Sequence, residues 1–135
     1  MTGLSASPNR LLAMIFGVVY LLVGVLGFAV TGFSNFAGTH GDTLIVFDVN
    51  PLHNIVHLAI GAVLLLASRS AASAKAANTG VGAVYLVVGI IGLFILDSSA
   101  NILALNGADN VLHLASAIVL LGVGLTADKR APAAV

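Results

Sequence analysis

Two short segments hold most of the side chains that could do chemistry. His53-Asn54-Ile55-Val56-His57-Leu58 and Ala108-Asp109-Asn110-Val111-Leu112-His113-Leu114 share one pattern, an asparagine followed three residues later by a histidine and a leucine. Asn50-Pro51 precedes the first, and Asn106 stands at the same place before the second. Asparagine is a good helix N-cap, and proline suits the first helical position. With the caps set there, His53, Asn54 and His57, and likewise Asp109, Asn110 and His113, fall three, four and seven residues on and share one helical face. Three chemistries fit such a face. The imidazoles can hydrogen-bond with Asn54, Asn110, Tyr20 and Tyr85 and hold helices together. They can ligate a divalent metal, His53 and His57 at i, i+4 sharing one ion, or act as axial ligands of haem b. They can also line a vestibule for a small polar or amphipathic ligand. The second copy has Asp109 where the first has His53, and cysteine is absent, which removes thiolate sites and disulfides.

The elements that position these residues are long apolar stretches. Of 135 residues, 59% are hydrophobic and only 7% charged, and the mean hydropathy is +1.12. A soluble domain is about a quarter charged, so this chain belongs in a bilayer. The pattern predicts an all-α integral membrane four-helix bundle. Its spans run over about 11–31, 51–68, 79–96 and 107–126, each near the roughly 20 residues that cross a hydrocarbon core. Residues 1–10 read as a cytoplasmic N-terminal segment, 11–126 as the membrane domain and 127–135 as a cytoplasmic tail. The first stretch reads as a retained helix, because its apolar run exceeds a signal-peptide core and no small-x-small cleavage site follows. The Ala/Ser-rich residues 70–77 read as a linker.

Charge gives the spans a direction. Arg10, Arg69, Lys75, Lys129 and Arg130 all fall on one side, with Asp128. Asp42, Asp48, Asp97 and Asp109 fall on the other. The positive-inside rule then places both termini in the cytoplasm of a multi-pass plasma (inner) membrane protein.

The chain also repeats itself. Gly17-Val-Val-Tyr20-Leu-Leu-Val-Gly24-Val-Leu-Gly27 matches Gly82-Ala-Val-Tyr85-Leu-Val-Val-Gly89-Ile-Ile-Gly92 at an offset of 65, and Asn54–Ala59 matches Asn110–Ala115 at an offset of 56. Each half is a helical hairpin, residues 11–68 and 79–126, and the two are parallel repeats. Gly17, Gly24 and Gly27, with Gly82, Gly89 and Gly92, line one face of their helices, which lets neighbours approach closely.

The four-span layout, the Gly-x-x-Tyr-x-x-x-Gly helices and the twin Asn-x-x-His-Leu segments resemble a family of small bacterial membrane proteins known as domain of unknown function 4383. The resemblance covers Arg10 to Thr126. It implies a four-helix plasma-membrane protein and brings no activity, cofactor or catalytic residue.

Catalysis finds no support. Walker, dinucleotide, HExxH and nucleophile-elbow patterns are absent, and five scattered cations cannot neutralise a run of nucleic-acid phosphates. The expected function is non-enzymatic, by assembly or partner binding in the lipid bilayer, as a homo-oligomer or with other membrane proteins. No cofactor is expected on that reading. The alternative is haem or metal binding by the histidines, for redox or sensing.

Overall fold

The structure, a computed structural model, describes residues 4–129; Arg130 and the rest of the tail lie outside the described residues. After a short 3₁₀ turn at Leu4–Ala6, the chain forms α1 (Pro8–Thr31), a two-stranded antiparallel hairpin of β1 (Asp42–Leu44) and β2 (Phe47–Val49), then α2 (Pro51–Ala67), α3 (Ala71–Ile95) and α4 (Gly107–Thr126). The chain is thus mostly helical rather than all-α. The hairpin escapes sequence reading because its turn carries no Asn-Gly or Asp-Gly signal. Instead Ile45 adopts φ +65°, an uncommon conformation for a β-branched residue.

Each helix starts where a side chain satisfies the orphan N–H groups of its first turn. Ser7, Asn50 and Ser70 accept from the backbone N–H three residues on, at 3.3, 2.8 and 3.1 Å. Asn106 does the same for Asp109, whose carboxylate accepts from the Asn106 N–H, closing a capping box. The Ser70 cap starts α3 eight residues before its apolar run, so the expected linker is helical from Ala71. Alanine, the best helix former, explains the extension.

α1, α3 and α4 are long and apolar enough to cross a membrane, whereas α2 has 17 residues. At about 1.5 Å per residue, α2 is roughly 26 Å long, slightly short of a hydrocarbon core of about 30 Å. Burial runs opposite to that of a water-soluble protein. Among the described residues fourteen polar or charged ones are buried against eleven apolar ones, while Phe94, Val111 and Ile118 are largely exposed. Such an apolar exterior suits lipid.

α1 packs along α2 and α3 along α4, and the two pairs meet through α1–α3 and α2–α3. The glycines permit the close pairings. A Cβ on Gly17 would lie 2.7 Å from the Leu65 nitrogen, and one on Gly82 2.8 Å from that of Leu121. Gly24 and Gly89 receive Leu58 and Leu114. Gly27 and Gly92 receive the amide oxygens of Asn54 and Asn110.

The end of the bundle where α1 begins and α4 ends is tied by groups that hydropathy does not flag. Asn9 is fully buried; its backbone and side-chain N–H groups donate to Asp128 Oδ2 at 3.1 and 3.0 Å, and Ser7 Oγ donates to the same oxygen at 2.9 Å. Buried Asn78 donates to both oxygens of Asn9. Arg10 Nε donates to Ser68 O, and Lys75 Nζ to Ala127 O. Each cation therefore sits at the C-terminal end of the neighbouring helix, where the dipole favours it.

Candidate functional site

Asn50 aims the first turn of α2 and is itself anchored. Its Nδ2 donates to Gly38 O at 2.9 Å and to Ile102 O at 2.8 Å, joining the α1–α2 and α3–α4 connections above the helix. Asn101 fixes the loop before α4 by donating to Leu96 O and Leu105 O and accepting from the Leu105 N–H. From these fixed starts the i, i+3, i+4 spacing turns the histidines inward.

His53, His57 and His113 are all buried, and one ring nitrogen from each lies within 4.8 Å of the others. The His53 and His57 ring centroids are 4.4 Å apart, and those of His53 and His113 5.8 Å. Tyr20 stacks on His57 at 5.7 Å and on Tyr85 at 5.5 Å, while Tyr85 lies 4.9 Å from His113. Five rings from four helices thus form one continuous cluster. The rings lie against one another, and Nδ1 of each of these histidines and Oη of both tyrosines are buried without a well-formed hydrogen bond. A buried polar group left unmade costs about 1–3 kcal/mol, so five such atoms in one cluster need a reason.

The expected site residues divide into two groups. His53, His57, His113, Tyr20 and Tyr85 come together. Asn54 and Asn110 are instead committed to the helix pairs, their amide oxygens on Gly27 and Gly92, with Asn54 Nδ2 donating to Thr31 Oγ1 at 3.0 Å. Asp109, expected on the polar face with Asn110 and His113, is 2% exposed and serves in the capping box. It lies outside the set of mutually close ligand atoms. His40 is exposed in the outer loop. Sequence reading passed over Asn9 and Asn78; an asparagine at the head of an apolar run was the available signal for Asn78.

Three imidazoles are a donor set for zinc, copper, iron or nickel. A family model, Domain of unknown function (DUF4383), matches residues 10–126. The chain belongs to this family. No curated protein and no solved structure matches it. The DUF4383 match spans α1 to α4 and so contains every ring of the cluster, together with the glycines that let the helices close around it.

Proposed function

We propose that this DUF4383 protein is a four-span plasma-membrane protein holding a divalent transition-metal ion on His53, His57 and His113. The observation that carries the reading is the mutual approach, within 4.8 Å, of ring nitrogens from three buried histidines whose Nδ1 atoms lack partners. A tetrahedral ion bonded at about 2.0–2.1 Å would hold nitrogens about 3.3 Å apart, so modest ring rotations close the site. Intramembrane ionisable residues mark functional sites by default. Three protein ligands leave a coordination position open, so the ion would act as a Lewis acid toward whatever reaches it. Direct contact among the rings suits a single ion better than a macrocycle placed between them.

The surrounding architecture in this reading is a bundle of two parallel hairpin repeats with both termini in the cytoplasm. The matching roles of Gly27 with Asn54 and Gly92 with Asn110, and of Arg10 and Lys75 at neighbouring helix ends, support the repeat. The reading through assembly is less favoured, because the glycine faces that would drive it are occupied by the chain's own helices. An assembly would have to use other surfaces.

Metal analysis and a visible spectrum of the purified protein, before and after zinc loading and chelation, test the proposal. Stoichiometric metal in the wild type, lost in His57→Ala and His113→Ala, is the expected result. A wild type that takes up no metal, with variants that lose only thermal stability, makes the cluster structural. A Soret band would replace the ion with haem.

A further inference from the structure

The two interfaces that the repeat would make equivalent are unequal. α2 packs against α3, whereas α1 and α4 touch less, and a cavity of about 280 Å³ lies between them. Phe16, Val19 and Val23 of α1 and Leu112 of α4 form its walls, and Leu44 and Phe47 of the β-hairpin lie at its outer end. Its polar lining comes from Tyr20, His57, Asp109 and Ser116. Two of these are places where the copies differ. At the offset of 56, Ser116 corresponds to Ile60 and Asp109 to His53. Ile60 packs against the core cluster; the smaller serine opposite leaves space and adds a hydroxyl. The polar substitutions in the second copy thus line the open cleft.

We propose that this cleft binds an uncharged, lipid-soluble hydroxyl compound, a long-chain alcohol or phenol. The apolar body would lie along α1 and the hydroxyl would reach Ser116, Tyr20 and the ion beside His57, with Asp109 two turns further out along α4; the reading of its head group rests on the metal proposed above. The walls select an apolar body, since a polar one would lose its hydrogen bonds there. Charge selects the head. An anion would meet the Asp109 carboxylate, and a cation would meet the ion held through His57, each in a medium that penalises unpaired or like charges. A hydroxyl avoids both costs, exchanging hydrogen bonds with Ser116 and Tyr20 and offering oxygen to the open metal position. Buried Tyr20 Oη, without a partner of its own, supplies a waiting donor.

The test uses a dodecyl alcohol carrying a photoreactive diazirine, with carboxylate-headed and trimethylammonium-headed analogues, on full-length protein in lipid nanodiscs. Cross-links are mapped by mass spectrometry, and metal content is measured on the same samples. The expected result is labelling of Val19, Val23 and Leu112 by the alcohol, competed by plain dodecanol. Ser116→Ile, which installs the residue of the other copy, should reduce it about tenfold without loss of metal. Labelling spread equally over Val63 and Val84 on the other helices, or unchanged in Ser116→Ile, or equal for all three head groups, would overturn the proposal. A wild type that holds no metal yet shows Ser116→Ile-sensitive labelling specific to the alcohol loses the metal reading and keeps the cleft.

Discussion

Adding one methyl group separates the glycines of this protein into two classes. A Cβ on Gly61 would lie 2.8 Å from the Leu21 nitrogen, and one on Gly92 would overlap the Asn110 amide. Gly61→Ala and Gly92→Ala should each cost about 1–3 kcal/mol. Gly80 and Gly122 face open space, and alanine there should be neutral or stabilise by up to about 1 kcal/mol. Thermal unfolding of the four variants in one detergent checks both halves of the prediction; equal effects would mean the helix pairs are not packed this closely. At this scale the residues on one face were legible, because spacing alone decides which side chains share it. Their partners were not. Asn54 and His57 occupy the same face one turn apart, yet the first contacts a glycine helix and the second a ring cluster, a division set by interhelical packing.

The caps differ in how much they hold. Ser70 satisfies the first turn of α3 and shares a bond with Ser73, so Ser70→Ala should cost about 0.5–2 kcal/mol. Asn50 caps α2 and also donates to carbonyls of the α1–α2 and α3–α4 connections. Asn50→Ala leaves those acceptors unpaired and should cost about 3 kcal/mol, the cap plus the lost bonds. Denaturation midpoints of the two variants give the comparison. Legibility followed the same logic. The starts of α2 and α4 could be read at Asn50 and Asn106, because an N-cap is a local device. The start of α3 was placed too late, since hydropathy follows the bilayer and not the helix, which continues beyond it from Ala71. The β-hairpin could not be read at all, because its Ile45-Val46 turn lacks the Asn-Gly or Asp-Gly signal. Ile45 at φ +65° carries that conformation at a cost of about 1–3 kcal/mol, so Ile45→Gly should raise the melting temperature.

Charged and polar groups gathered where α1 begins and α4 ends fasten that end of the molecule. Partial burial works to raise the pKa of Asp128, but hydrogen bonds from Asn9 and Ser7, with Lys75 nearby, outweigh it and hold the carboxyl below its ordinary value. A depressed carboxylate contributes stability above its unfolded pKa of about 3.9 and loses it as pH falls through the lower folded value. Unfolding midpoints should therefore decline below about pH 4, and Asp128→Asn should remove that part of the decline while lowering stability at neutral pH. A variant with an unchanged acid profile would dissociate the carboxylate from the network. A reporter fused after Val135 should be cytoplasmic if the orientation is right.

That network also constrains biogenesis. The α1–α2 pair can close as soon as both helices leave the translocon, since its glycines need only α2. Asn9 cannot. Its partners are Asn78, Val123 and Asp128, and the last is made 119 residues after it. Until then a buried amide at the head of the first helix lacks its native acceptor, so a nascent chain stalled before Asp128 should remain open at that end and be exposed to membrane quality control.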